Sequence, residues 1–198
     1  MDKQTLMERA AAGALAVVRN VKPDMYDRPT PCADWDVRTL ANHLTHWSAV
    51  VSERTARKLP VPTDGSESEG TDYTAEADWP AFFADRLDSA VRAWGVRGAW
   101  DGESVMASDP RPADFLGKML YGELVLHGWD LAKATGQDFD VDPDLAKAAL
   151  ADAEEIADMA REWEAFGPEV KVPDHASTVD RLLAVTGRDP NWLPQPRG

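Results

Sequence analysis

Apolar residues recur at helical spacing along most of the chain, and five amphipathic segments hold most of them. Residues 3–20 place Met7, Ala11, Ala14 and Val18 on one face of a first helix, with Lys3, Arg9 and Arg19 elsewhere. Residues 21–36 hold three prolines and four aspartates and read as a loop, with Asp36 as the N-cap of the second helix. That helix, over about 37–58, buries the stripe Leu40, Leu44, Trp47 and Val51. Residues 59–78 are rich in Pro, Gly, Ser and acidic side chains, with little to bury, and are expected to be a long mobile loop. A third helix, 79–94, carries Phe82, Phe83, Leu87, Ala90 and Trp94. Residues 96–111, broken by glycines and Pro110, leave room for at most a short extended piece.

Pro112 suits the first turn of a central helix whose stripe is Leu116, Leu120, Leu124 and Leu131, and Gly136 lies where a C-terminal cap belongs. Asp142-Pro143 opens a fifth helix with the stripe Leu145, Ala149, Ile156, Met159 and Trp163, its acidic run Asp152, Glu154, Glu155 and Asp158 facing water. Residues 177–186 form a short helix closed by Gly187. No strand alternation is sustained, so the expected architecture is all-α. One domain spans 1–198, with an irregular C-terminal extension over about 164–198.

Composition narrows the function. Asp and Glu outnumber Lys and Arg by 35 to 21 and the formal charge is -14, which disfavours nucleic acid and anionic membranes as partners. The N-terminal segment threads charges through its apolar positions, so neither a leader nor a membrane span is expected and the protein reads as cytoplasmic. A single cysteine, Cys32, rules out an internal disulfide and a cysteine-based zinc cluster. A metal would therefore use histidine and carboxylate.

The central helix supplies such a pair. Glu123 and His127 fall within its apolar stripe or at its edge, so two polar groups point at the core. A buried carboxylate is costly unless paired or metal-bound, and residues four apart on a helix reach one common partner. Two readings stand at this point, a metal-ligand pair and a Glu–His hydrogen bond that satisfies both groups. On the second helix, His43 lies about 70° from the centre of the buried stripe and His46 about 130° away. His43 can reach the interior, more often as an ordinary half-buried histidine than as a ligand, whereas His46 reads as solvated. Asp130 could support His127 from behind, although a surface position is the commoner outcome for such a residue. Cys32 reads as a small buried hydrophobe, and Trp35, Trp47 and Trp129 as core or helix-contact residues.

Three stretches carry a resemblance: TPCADWDVRTLANHL at 30–44, GELVLHGWDLAKATGQ at 122–137 and FGPEVKVPDHASTVDRLLAVTGRDPNW at 166–192. With these the chain resembles the DinB-like metal-binding bundles, most closely the group around mycothiol-dependent maleylpyruvate isomerases. The resemblance implies an up-down-down-up four-helix bundle with additional C-terminal helices, and a divalent metal held by His43, Glu123 and His127. These are the residues that the helix wheel turns inward. It also implies a small thiol of the mycothiol type as co-substrate. The isomerases carry a further C-terminal domain that contributes to catalysis and has no counterpart in these 198 residues, so what transfers is the metal site rather than the isomerisation of maleylpyruvate.

Two histidines and one carboxylate leave a coordination position open, as in catalytic rather than structural zinc. Zinc is the first choice; nickel, cobalt, manganese and iron also suit mixed N/O ligation. A thiol at the open position gives thiol transfer to an electrophile or thiol-assisted isomerisation, and water gives hydrolysis. The competing reading is a non-catalytic bundle that holds a metal or small ligand for sensing, storage or stress response. Monomer and homodimer are both open.

Overall fold

A computed structural model describes residues 1–194, so the last four residues of the expected C-terminal extension lie outside the described residues. Helix α1 is Lys3–Val18. Helix α2 begins at Val37–Leu44, passes through a π-helical stretch Thr45–Val51 and ends in Ser52–Ala56. Then come α3 (Trp79–Trp94), a hairpin of β1 (Glu103–Val105) and β2 (Pro110–Pro112), α4 (Ala113–Thr135), α5 (Pro143–Glu162) and α6 (Thr178–Val185). The strands are antiparallel with Ser104 opposite Arg111, which is the short extended piece expected before the central helix.

Local chemistry sets the helix boundaries. Asp2, Asp36, Asp78, Asp142 and Ser177 each accept hydrogen bonds from backbone N–H groups in the first turn of the adjoining helix, groups with no partner inside that helix. Gly136 ends α4 with φ of 74°, a left-handed geometry that glycine adopts without steric cost.

The expected all-α four-helix bundle is present. Helix α4 packs along α1 and across α2, and α3 closes the other side against both. The approach of α4 depends on small residues: a Cβ on Gly128 would meet the Phe139 ring at 2.9 Å, and one on Gly117 would overlap Trp100. Helices α5 and α6 pack on one another beside the bundle, α5 also touching α4. Among the described residues no helix is long and apolar enough to cross a membrane.

Three expectations need correction. The stripe on α2 holds at Val51 but fails at Trp47, because a π-type turn takes one more residue than an α turn and slips the succeeding side chains around the axis. Trp47 is only half-buried, while Thr45, Ser48 and Ser52 turn inward. Two of these polar residues are matched to α3, with Trp79 Nε1 donating to Thr45 Oγ1 at 2.9 Å and Trp94 Nε1 to Ser52 Oγ at 3.1 Å. Residues 59–78 are not all free of burial, for a 3-10 turn at Tyr73–Ala75 buries Tyr73 and Thr74 and stacks Tyr73 on Phe82 at 5.9 Å. Helix α5 docks through Leu145, Ala149, Ala153, Ala157 and Ala160 rather than the larger residues of the expected stripe. Ile156 and Met159 are half-buried and Trp163 is 47% exposed.

Candidate metal centre

Glu123 and His127 stand one turn apart on α4, and α2 brings His43 against them. Glu123 Oε2 lies 3.1 Å from His43 Nε2 and 3.1 Å from His127 Nε2. The two imidazoles meet edge to face with centroids 4.9 Å apart. Trp35 covers both, its ring 4.7 Å from that of His43 and stacked at 6.0 Å on that of His127. The loop that carries Trp35 is pinned by Thr30, whose N–H donates to Trp35 O at 3.2 Å and whose hydroxyl donates to the same carbonyl at 3.0 Å.

Behind His127 lies a second layer. Its Nδ1–H donates to Asp130 Oδ2 at 2.9 Å, and Asp130 is 0% exposed. Arg188, just beyond α6, donates to the same carboxylate through Nε at 3.0 Å and Nη2 at 2.8 Å. The Cys32 thiol donates to Asp130 Oδ2 at 3.1 Å. Two expectations are thereby corrected. Asp130 is not a surface residue, and Cys32 is half-buried against a carboxylate and an imidazole rather than in apolar surroundings. Sequence reasoning misses Arg188 altogether: it is 58 residues from Asp130, and nothing in a local periodicity joins them.

Electrostatics separates the two layers. Burial pushes the Glu123 carboxyl up, but the charge of His127 and hydrogen bonds from His127 and His43 outweigh it and hold it well below the usual carboxylate range. Burial likewise works against the His127 imidazolium, yet the Glu123 charge and the Asp130 hydrogen bond hold its pKa well above the usual value. Asp130, against the same cost of burial, is drawn down to about 2 by Arg188 and His127. An ionised Asp130 accepts a hydrogen bond from Nδ1–H of His127 and so leaves Nε2 facing Glu123 and His43.

The donor set fits a divalent ion. The three ligand atoms lie within 4.8 Å of one another, and a tetrahedral ion with bonds of about 2.0–2.1 Å spaces its ligands by about 3.3 Å, close to the distances found. Cys32, His127 and Asp130 also lie within that reach of one another, but there the Arg188 guanidinium already supplies the positive charge, and a second cation would be repelled. The first cluster is open on one side, with the side chains of His43 and Glu123 22% and 30% exposed. Glu123 is also among the residues lining a cavity of about 190 Å³ between α4 and α5.

His46 is the remaining histidine of α2, and it is not solvated. It is 3% exposed beneath Tyr73, whose hydroxyl lies 3.1 Å from Nδ1. Burial lowers its pKa. Among the described residues it belongs to neither cluster.

The family model of the mycothiol maleylpyruvate isomerase N-terminal domain matches residues 7–132, a span that holds His43, Glu123, His127 and Asp130. Two proteins of Mycobacterium tuberculosis, uncharacterized proteins MT0763 and Rv0738 from two strains, are each 28% identical to the chain over 201 residues, covering 95% of it and 98% of their own length. The crystal structure of the mycothiol-dependent maleylpyruvate isomerase superposes with a TM-score of 0.57 at 14% identity, covering 82% of this chain and 70% of that one, a likeness of fold.

Proposed function

The chain belongs to the family of the mycothiol maleylpyruvate isomerase N-terminal domain, and on that premise we propose that it is a metal-dependent enzyme that joins a mycothiol-type thiol to an electrophile, by transfer or by thiol-assisted isomerisation. His43, Glu123 and His127 hold the metal, with zinc the first choice. The observation that carries the reading is the convergence of three ligand atoms on one point that is open to solvent on one side. Held by these three residues, a divalent ion would supply the positive charge that lowers the pKa of a thiol beside it.

The chain's own residues do the rest. Asp130, locked by Arg188, holds the Nδ1 proton of His127 and keeps that ring from turning. Trp35 screens the two histidines from water on one side, so an incoming thiol meets them from the other. Glu123, half-exposed and ionised, contributes the negative charge that draws the cation in.

The test is turnover. Zinc-loaded protein mixed with mycothiol and 1-chloro-2,4-dinitrobenzene is expected to consume both, while His127→Ala consumes neither above the uncatalysed rate. Stoichiometric zinc with neither consumption of thiol and electrophile nor thiol-dependent isomerisation across a panel of electrophiles would sink the enzymatic reading and leave a bundle that binds metal without turnover.

A further inference from the structure

The cavity beside Glu123 has a composition that the metal centre does not explain. Its walls are apolar: Phe115, Met119 and Leu126 from α4 face Ile156 of α5, with Trp163 and Phe166 beyond. A Cβ on Gly122 would meet nothing within 4 Å, so the surface of α4 next to Glu123 is bare. At about 190 Å³ the space exceeds the roughly 150 Å³ in which an apolar cavity stays dry and takes up benzene.

The charges around it have one dominant sign. Asp114, Asp152, Glu155 and Glu123 border the cavity; Lys3 pairs with Asp114 at 2.5 Å and Lys118 with Asp152 at 2.8 Å, which leaves Glu155 and Glu123 without a lysine or arginine partner among the described residues. The Tyr121 hydroxyl also donates to Asp152. Arg111 lies just outside, stacked on the Trp163 ring at 5.7 Å. An anion entering the metal-free protein would be desolvated beside Glu155 and Glu123, with no unpaired cation among the lining residues to receive it.

We infer that this cavity binds the apolar body of the electrophilic substrate, a molecule about the size of one six-membered ring that is neutral or cationic and carries no carboxylate. The reacting end points at Glu123, and only that orientation rests on the metal-centre reading; the binding itself does not. The selectivity sets the chain apart from an enzyme whose substrate is a dicarboxylate.

Three ligands that share one ring and differ in charge test this: phenethyl alcohol, phenethylammonium and phenylacetate, each titrated calorimetrically into zinc-free and zinc-loaded protein. In zinc-free protein the alcohol and the ammonium are expected to bind, and phenylacetate at least about tenfold more weakly. Gly122→Leu and Ala153→Leu fill the cavity from opposite walls, and each is expected to weaken the alcohol by at least about tenfold with zinc content unchanged. Circular dichroism identifies any variant that fails to fold, in which case the other decides. Phenylacetate binding zinc-free protein as tightly as the alcohol, alcohol binding unaffected by a folded filling variant, or no binding of any of the three overturns the inference. Ligand binding without zinc uptake by the wild-type chain leaves the cavity standing and removes the metal centre.

Discussion

The two nitrogens of the His127 ring face regions assembled differently. On the Nε2 side, His43 and Glu123 are partly exposed and gather one carboxylate and two imidazoles with no permanent cation. On the Nδ1 side, Asp130 is wholly buried and matched by Arg188 at hydrogen-bond distance, so that layer is neutral without any further ion. The difference separates the part that can exchange a ligand from the part that holds the geometry. A buried charge is tolerated where its partner is built in, whereas an incomplete set at an open surface is free to take a partner from solution.

The largest contrast comes from removing the open side. His43→Ala, Glu123→Ala and His127→Ala are each expected to abolish zinc retention after dialysis against a weak chelator, with helicity kept because the core lies elsewhere. Zinc retained by all three would show that no such centre exists. The closed side responds through stability. Arg188→Met strands a buried carboxylate and is expected to cost about 3–5 kcal/mol in urea unfolding, as for removal of one partner of a buried pair. An unchanged midpoint would mean that Asp130 is solvated in solution. Asp130→Asn keeps the shape of the side chain but weakens its hold on the Nδ1 proton, and zinc affinity should fall about 10–100-fold, together with a loss of stability because the buried Arg188 guanidinium loses its counter-charge.

The pH dependence sharpens the same comparison. The pKa of His127 is raised on folding, so its contribution in metal-free protein is complete below the unfolded value of about 6.5 and fades as pH rises through the folded value. Asp130, depressed to about 2, contributes above the unfolded carboxylate value and fades only as pH falls from about 4 toward that point. Metal-free protein should therefore lose stability on the alkaline side. Zinc affinity should rise over the same range, because the ion displaces the proton on His127. Zinc binding that is flat across that range would mean that His127 is not a ligand. The smallest effect is reserved for His46→Ala, which should leave zinc content untouched and cost only the packing beneath Tyr73. Lost zinc in that variant would place the wrong histidine of α2 at the centre.

How far the sequence reaches is clear from individual residues. The helices are set by caps and periodicity that act within a few residues, so α1, α3 and α4 are legible together with the Asp142 cap and Gly136. So is the inward turn of Glu123 and His127, because both lie on one uninterrupted α-helix where angular position follows from spacing. His43 lies before the π stretch, where spacing still gives the angle; His46 lies inside it, where spacing does not. The burial of His46 is also decided from outside its helix, by Tyr73 folding back over it.

By itself, then, the chain determined its helical elements, its acidic surface and three inward-facing polar groups, because each depends on local geometry or on composition alone. Tertiary structure decided what surrounds those groups. Arg188 reaches Asp130 across 58 residues, the loop at Thr30 lays Trp35 over two histidines, and the alanine face of α5 stands off α4 far enough to leave a cavity. Each is a contact between distant segments, and such contacts are fixed by how whole surfaces pack rather than by the spacing of residues within any one of them.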